Sequence, residues 1–201
     1  MQRLIRLLVT AALSLAASAT LAAAAPGQPA SDFAVTDIAG KPYRLSDLRG
    51  KYVVLEWFNS ECPFVQKHYE SGNMQGLQKQ YTAKGVVWLA INSTNPSSSN
   101  FRDESHSAQI ARDWKMNPTA LALDKDGKVG QAYGARTTPH MFVIDPKGTV
   151  IYAGGIDDKA TFSPADVKSA KNFVAAALDE SMTGKPVSTP SARPYGCSVK
   201  Y

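Results

Sequence analysis

The segment that decides the fold is residues 52–65, YVVLEWFNSECPFV, a hydrophobic run that ends at a cysteine and a proline. Residues 52–58 are rich in β-branched and aromatic side chains with little polar interruption, which predicts a strand buried on both faces. Pro63 is of a type favoured in the first turn of a helix, so Cys62 is predicted at a helix N-terminus. The free N–H groups and the dipole at that end favour a thiolate, which makes Cys62 a candidate nucleophile.

Outward from this segment, the hydrophobic pattern alternates between strand-like and helix-like stretches. A hairpin is predicted around Gly40, and a break or bend is expected at Gly72 and Asn73. The predicted strands are residues 86–91, 120–123, 141–145 and 149–153, and the predicted helices are 63–81, 101–114 and one that starts at Pro164. This order indicates an α/β sandwich around a mixed sheet.

The last helix has the clearest start signal in the chain. Ser163 is placed to cap it, Pro164 to occupy its first position, and Asp166 to complete an S-x-x-D capping box. Gly184 is expected to end it. Beyond it, residues 185–201 contain three prolines and few apolar side chains, so an irregular tail is predicted.

The chain has 201 residues, and residues 1–25 read as a removable export signal with two arginines, an apolar run and small residues suited to cleavage. The run is too short and wrongly flanked for a membrane span, so no stable membrane insertion is expected after cleavage. An uncleaved N-terminal anchor is the alternative. A formal net charge of +5 without a block of Lys and Arg argues against a nucleic-acid partner. A hydrophobic content of 44% excludes wholesale disorder.

Cys62 and Cys197 are the two cysteines of the chain, too few for the paired C-x-x-C motifs of a structural zinc site. Cys197 lies in the tail, which is long enough to reach Cys62 from many directions. Three interpretations stay open at this point. Cys197 resolves an oxidised Cys62, the two form a permanent structural disulfide, or Cys197 stays unpaired or bonds another chain.

A second segment, residues 133–145, reads YGARTTPHMFVID. A proline that leads into a buried strand removes a hydrogen-bond donor from the sheet, so Pro139 is predicted at a bend or a strand start. A cis peptide bond between Thr138 and Pro139 suits such a position.

Together the two segments resemble the thioredoxin-like superfamily, and within it the redoxin branch of alkyl hydroperoxide reductases and thiol-specific antioxidant proteins. The resemblance covers about residues 30–180, essentially the whole predicted folded part. It implies a thioredoxin-like fold in which Cys62 is the attacking thiol. It also implies that Thr138 and Pro139 form a cis-proline pair beside that thiol, whose backbone receives a thiol or peptide substrate.

The sequence departs from this family in two places. Thioredoxins carry C-x-x-C, and Val65 stands at the second cysteine position, which excludes disulfide exchange within that motif. Typical peroxidases of the branch carry P-x-x-x-T-x-x-C, and here Leu55 and Asn59 stand at the proline and threonine positions. Asn59 is a candidate to bind substrate through its amide. Arg136 is a candidate to stabilise the thiolate, as an arginine does in those peroxidases.

Other polar residues are given smaller roles. Lys67 and His68 are predicted to lie off the face of Cys62, because only residues three or four apart share a helix face. His106 is predicted at the surface. His140 follows the predicted cis-proline and, together with Cys62, is the basis of a minor alternative in which the protein handles copper.

The sequence therefore predicts an exported thiol oxidoreductase, with residues 26–184 as a thioredoxin-like redoxin domain and Cys62 and Cys197 as catalytic residues. The predicted substrate-binding residues are Asn59, Thr138, Pro139 and Arg136. The expected partners are a peroxide or a protein thiol or disulfide, and an external thiol reductant, with no cofactor and no metal. A non-catalytic binding domain with a structural disulfide is the alternative.

Overall fold

The computed structural model describes residues 24–201, so residues 1–23 of the predicted export signal lie outside the described part. The strands are β1 (Ala34–Thr36), β2 (Pro42–Arg44), β3 (Val53–Trp57), β4 (Val87–Asn92), β5 (Ala120–Leu123), β6 (Thr137–Thr138), β7 (His140–Ile144), β8 (Val150–Gly154) and β9 (Cys197–Ser198). The helices are α1 (Pro63–Glu70), α2 (Asn73–Thr82), α3 (Glu104–Asp113), α4 (Lys128–Tyr133) and α5 (Phe173–Met182). Within this part of the chain, no helix has both the length and the apolar composition needed to cross a membrane.

A five-stranded mixed sheet in the order β5-β4-β3-β7-β8 forms the centre of the molecule. β3, β4 and β5 run parallel, whereas β7 lies antiparallel to both β3 and β8. The strands β1 and β2 pair as the predicted N-terminal hairpin. The predicted α/β fold with a mixed central sheet is therefore confirmed.

The hydrophobic run of β3 contributes to both faces of this sheet. Leu55 and Trp57 pack into a cluster with the β1–β2 hairpin and α4, whereas Val54 packs into a cluster with α1, α2 and α5. All five residues of the strand are buried, because alternate side chains enter opposite layers and neither layer is open to water. Burial of an aliphatic side chain of this strand contributes about 1.5–3 kcal/mol. Glu56, the polar residue of the strand, is instead held by hydrogen bonds from Tyr69, Gln78 and Trp88. The strand β3 therefore joins the two halves of the core.

Two local features shape the helices around the sheet. The predicted break after α1 is confirmed, since Gly72 has φ 74° in the left-handed region and separates α1 from α2. The helix α4 is not predicted by the hydrophobic pattern. The Asp124 carboxylate accepts hydrogen bonds from Val129 N at 3.2 Å and Gly130 N at 2.9 Å, which stabilises the first turn of this helix.

The predicted start of the last helix is wrong. Pro164–Ser169 forms only a 3-10 segment, the Ser163 side chain makes no capping bond, and the backbone becomes extended directly after the segment. The helix α5 begins instead at Phe173, where Asn172 is the cap. Its side-chain oxygen accepts a hydrogen bond from Ala175 N at 2.9 Å. A local capping box does not specify a long helix when the following chain turns away.

The tail, residues 185–201, is irregular for most of its length, as predicted, yet it is bound to the domain. Pro190 O accepts a hydrogen bond from Ala153 N at 3.1 Å, which lays the tail along the free edge of β8. Its end forms β9, which pairs antiparallel with β6. The tail therefore follows the sheet edge and finishes beside the second sequence segment that the resemblance depends on.

Replacing Asn172 by Ala should lower the free energy of unfolding by about 1 kcal/mol, because it removes the cap of α5. Ser163→Ala is the matched control: this side chain caps nothing, so the change should stay within about 0.5 kcal/mol. Urea unfolding of the parent protein and both variants measures the difference. Equal losses, or a larger loss for Ser163→Ala, would contradict the observed helix start.

Candidate active site

The register between β3 and β7 brings Cys62 to the cis-proline. Trp57, at the end of β3, pairs with His140, the first residue of β7. The chain therefore enters β7 through Pro139 close to the point where it leaves β3 for Cys62. The Thr138–Pro139 peptide bond is cis, and the Cys62 thiol donates a hydrogen bond to Thr138 O at 2.9 Å. The two segments that stand out in the sequence thus meet at one sulfur.

Cys62 occupies the N-cap position of α1, with Pro63 as the first helical residue. Its backbone carbonyl accepts hydrogen bonds from Val65 N and Gln66 N, both at 2.9 Å. The thiol therefore lies at the positive end of the helix dipole, where negative charge on sulfur is favoured. The residue is only 1% exposed, so the rest of the chain covers this sulfur.

Cys197 reaches Cys62 on a short strand. In the pairing of β9 with β6, Cys197 lies opposite Thr138. Its backbone N–H donates a hydrogen bond to Cys62 Sγ at 3.4 Å, across a separation of 135 residues in sequence. Both cysteines are free thiols, and Cys197 is partly exposed. The structure therefore brings together the two residues that the sequence predicts to be catalytic.

The surroundings of the two sulfurs favour different roles for them. Burial raises the pKa of the Cys197 thiol to about 12, and its hydrogen bond to Cys62 and the charge on Cys62 act in the same direction. The charge of Lys200 acts in the opposite direction. Cys197 is therefore protonated at neutral pH, and a protonated thiol is a poor nucleophile. Cys62 lies at a helix end and receives a backbone N–H, so it is the better candidate for the attacking thiolate.

Asn59 lies in the loop before Cys62 and holds the shape of that loop. Its side-chain amide donates to Thr94 Oγ1 at 2.9 Å, and its side-chain oxygen accepts from Glu61 N at 2.8 Å. Its backbone carbonyl accepts from Cys62 N at 3.2 Å. Among the described residues, no hydrogen bond joins the Asn59 side chain to the Cys62 sulfur. Its contact with substrate stays a prediction.

Arg136 lies near the cis-proline, but its contacts are made by the backbone. Arg136 N donates to His140 Nδ1 at 3.3 Å, and Arg136 O accepts from Val199 N at 3.1 Å, which helps to hold the tail. The residue is exposed, and in the part of the chain that is described its guanidinium forms no hydrogen bond. Among the described residues, no hydrogen bond of the Arg136 side chain therefore supports its predicted stabilisation of the Cys62 thiolate.

A polar cluster of Lys67, His68, Asp157 and Tyr195, here called the buried cluster, links α1 to the tail. Lys67 and His68 are completely buried. The Tyr195 hydroxyl donates to Asp157 Oδ1 at 2.5 Å and lies 3.1 Å from His68 Nε2. Lys67 Nζ lies 3.7 Å from Asp157 Oδ2 and 5.4 Å from the centre of the Tyr195 ring.

The hydrogen bonds of the buried cluster form a chain of donors that ends at the Asp157 carboxylate. Burial, together with the charge of Lys67, lowers the pKa of His68 to about 3, so the ring is neutral at pH 7. The Asn73 amide donates to His68 Nδ1 at 3.0 Å, which leaves the ring proton on Nε2, directed at the Tyr195 hydroxyl. Tyr195 in turn donates to Asp157. A continuous chain of donors thus ties the tail to the body of the domain.

Sequence reasoning misses this arrangement. The pattern marks Tyr195 only as an aromatic residue of a tail that docks, and it does not single out Asp157. The spacing of Tyr195 and Cys197 carries a usable signal, because residues two apart in an extended segment point to the same side. A tail that brings Cys197 to a buried thiol therefore presents Tyr195 to the same surface.

His140 is buried against the Phe142 ring, with 4.6 Å between the ring centres. Burial and the nearby charge of Arg136 lower the pKa of His140 to about 4, so it is neutral at pH 7. Within residues 24–201, no group of three or more His, Cys, Asp or Glu is arranged to hold a metal ion. The copper alternative built on Cys62 and His140 gains no third ligand of these types from that part of the chain.

Comparison with known proteins gives a family and several relatives. The model of the AhpC/TSA family matches residues 26–153. Thiol-disulfide oxidoreductase ResA of Bacillus thuringiensis subsp. konkukian is 33% identical over 127 residues, which cover 62% of this chain and 66% of that protein. This alignment spans just under two thirds of the relative. ResA of Geobacillus thermodenitrificans is 30% identical over 154 residues, which cover 75% of this chain and 83% of that protein.

A solved structure extends the likeness to most of the fold. The crystal structure of an uncharacterized conserved protein from Geobacillus kaustophilus superposes with a TM-score of 0.73 at 27% sequence identity. The match covers 88% of this chain and 92% of that one. The predicted thioredoxin-like fold class is confirmed by these likenesses.

Acidification should destabilise the protein through His68. Because folding lowers the pKa of His68 from 6.5 to about 3, the unfolded chain binds the extra proton between these values, and stability falls as the pH drops below 6.5. At pH 5 this amounts to about 2 kcal/mol, at about 1.4 kcal/mol per pH unit. Urea unfolding at pH 7 and pH 5 should show that His68→Gln reduces the pH dependence by about this amount.

His106→Gln is the control for this measurement: it removes an exposed histidine whose surface contact with Asp103 is worth little, so it should change the pH dependence much less than His68→Gln does. His140 acts in the same direction as His68, but it is present in every variant and cancels in the comparison. A His68→Gln protein with the full pH dependence of the parent would show that His68 is not buried as a neutral ring.

Proposed function

The chain belongs to the AhpC/TSA family, whose model matches residues 26–153, and on that basis we propose that it is a thiol-disulfide oxidoreductase acting on protein thiols or disulfides. Cys62 would be the attacking thiol and Cys197 the resolving thiol. The observation that carries the proposal is the hydrogen bond from Cys197 N to Cys62 Sγ at 3.4 Å, since it sets one cysteine directly against the sulfur of the other. The names of the relatives, thiol-disulfide oxidoreductase, agree with this reaction class.

In the reductive direction, the Cys62 thiolate attacks one sulfur of a substrate disulfide. A mixed disulfide between Cys62 and the substrate forms, and the other substrate sulfur leaves as a thiolate with the electron pair. Cys197 then attacks Cys62 Sγ, and its proton passes to the second substrate sulfur as that sulfur departs. The substrate gains two electrons, and the protein is left with a Cys62–Cys197 disulfide that an external dithiol reduces.

The order of these steps follows from the contacts of the two sulfurs. The helix end and the Cys197 N–H stabilise negative charge on Cys62, which favours its role in the first attack. Cys197, with a pKa of about 12, stays protonated and does not compete in that step. After the mixed disulfide has formed, the pairing of β9 with β6 has to form again, and it then sets Cys197 beside the sulfur that it must attack.

Fewer features of the site favour a peroxide as the substrate than favour a disulfide. Leu55, at the position of the peroxidase proline, is completely buried in the core. Asn59, at the threonine position, has its side chain engaged by Thr94 and Glu61, and Arg136 is exposed. Disulfide exchange is therefore the activity that the geometry supports better.

We infer that the protein works outside the cytoplasm, because residues 1–25 read as an export signal. Compartments beyond the cytoplasm are oxidising and preserve disulfides. A dithiol that turns over in such a compartment needs a dedicated thiol reductant, which fits the external donor in the proposed cycle.

Cys62→Ser should abolish disulfide exchange, and Cys197→Ser should stop turnover at the mixed disulfide, because each variant removes one of the two sulfurs. A peptide disulfide with a fluorophore on one chain and a quencher on the other reports the exchange. Mass spectrometry without reductant should find the peptide adduct on Cys197→Ser and none on Cys62→Ser. Ser163→Ala, which alters no contact of either sulfur, is the control and should match the parent rate.

Two results would contradict the proposal. A parent protein whose disulfide resists dithiothreitol under native conditions, and which exchanges with no model disulfide, would indicate a structural bridge. Faster turnover of hydrogen peroxide than of the peptide disulfide, lost in Cys62→Ser, would indicate peroxide reduction instead.

A further inference from the structure

In the observed arrangement, the neighbours of the Cys62 sulfur leave no space beside it for a substrate sulfur. The residue is 1% exposed, and its sulfur is hydrogen-bonded to Thr138 O and to Cys197 N. For exchange to occur, the attacking thiolate must contact a disulfide sulfur directly. Some neighbour of Cys62 must therefore move. Thr138 leads directly into the central sheet, whereas β9 is a two-residue strand at the end of the irregular tail.

We propose that β9 is a latch that copies the substrate: it occupies the edge of β6 beside the cis-proline, where the family resemblance already places a peptide substrate, and it must leave before a substrate segment can dock. This inference rests on the proposed function and adds to it the sequence preference for the substrate segment and the device that holds the tail. Extended peptides bind at free strand edges, where main-chain hydrogen bonds give affinity and the fit of side chains gives selectivity. The pairing of Cys197 with Thr138 shows how a substrate cysteine would be presented to Cys62.

Gly196 indicates which segments can take this place. Its φ of 134° is one that side-chain-bearing residues rarely adopt, and a Cβ added there would lie 2.0 Å from Thr138 O. Because this neighbour is a backbone atom beside the cis-proline, it cannot turn aside as a side chain would. A substrate segment that reproduces the β9 pairing therefore carries glycine immediately before its cysteine.

Tyr195 holds β9 in place. Its ring packs against Phe64 with 5.7 Å between the ring centres, and its hydroxyl is bonded to Asp157 and faces His68. These three partners lie on α1 and on the loop after β8, so the bonds join the tail to the body of the domain. Since Tyr195 precedes Cys197 by only two residues, release of this side chain removes the anchor on the N-terminal side of β9. The C-terminal side stays held by Val199 N on Arg136 O and by the Tyr201 hydroxyl on Ala135 O.

The rate at which Cys62 is alkylated measures how often β9 leaves. In a Cys197→Ser background one thiol remains, so iodoacetamide labels only Cys62. Adding Tyr195→Phe should raise the labelling rate about tenfold, which corresponds to the loss of one hydrogen bond to a charged group. Tyr52→Phe is the matched control, because it removes a hydroxyl that pairs with Ser181 Oγ and not with β9, and it should label at the background rate.

Gly196→Ala, in the same background, tests the strand itself without altering the buried cluster. The added Cβ collides with Thr138 O, so labelling of Cys62 should rise by at least the same factor. Urea unfolding curves show whether each variant retains its global stability. Labelling at the Tyr52→Phe rate in both variants would overturn the proposal and would leave the exchange activity unaffected.

The shape of the substrate is tested on the unaltered protein. The probe is the peptide RPYGCSV, a copy of residues 193–199, whose cysteine is joined by a disulfide to 2-nitro-5-thiobenzoate. The Cys62 thiolate bonds to the peptide sulfur, and the coloured nitrothiobenzoate leaves with the electron pair. The same peptide with leucine in place of glycine should react about tenfold more slowly, because it cannot pair with β6. Rates with free glutathione correct for the intrinsic reactivity of each peptide.

The two peptides separate this inference from the proposed function. Equal corrected rates for the glycine and leucine peptides would show that docking does not copy β9, while exchange itself stands. Release from neither peptide above the rate of Cys62→Ser would refute the exchange activity.

Discussion

The antiparallel register between β3 and β7 is the constraint on which the site depends. It sets Trp57 against His140, so that the chain leaving β3 and the chain entering β7 lie side by side. A slip of one residue would turn every side chain of the strand to the opposite face, and the two hydrophobic clusters that flank the sheet would be exchanged. The same apolar alternation that fills the core therefore fixes the distance between Cys62 and Thr138 O. A change in the register of β3 would therefore disturb the core and the position of the Cys62 thiol together.

The parts of this architecture that the sequence predicts are those with local signals. β3 reads as a continuous apolar run, Cys62 is followed by a helix-starting proline, and Pro139 precedes a buried strand, so each feature is visible in a few residues. The start of α5 is misread because a capping box at Ser163 is also a local signal, and the extended chain that follows overrules it. The pairing of β6 with β9 has no local signal, since two-residue strands show no period.

The buried cluster shows why some functional side chains escape prediction. A helix-face argument compares Lys67 and His68 only with neighbours on α1, whereas their partners come from the loop after β8 and from the tail. Burying a lysine and an aspartate without partners is costly, and pairing offsets that cost. The tail supplies the Tyr195 hydroxyl to Asp157 Oδ1, so its docking adds a hydrogen bond to this buried carboxylate, which the Lys67 ammonium approaches from the other oxygen. The tail is therefore a structural part of the domain as well as the carrier of a thiol.

The separation of the two sulfurs along the chain also bears on biosynthesis. Cys62 is made 135 residues before Cys197, and β6 and β9, which contact its sulfur, both follow it in the chain. While the ribosome is still extending the chain, the first thiol exists without its partner and without the strand that shelters it. During that interval it is open to sulfenic acid formation and to bonds with foreign thiols. The strand that covers the reactive sulfur is thus made after every other strand of the domain.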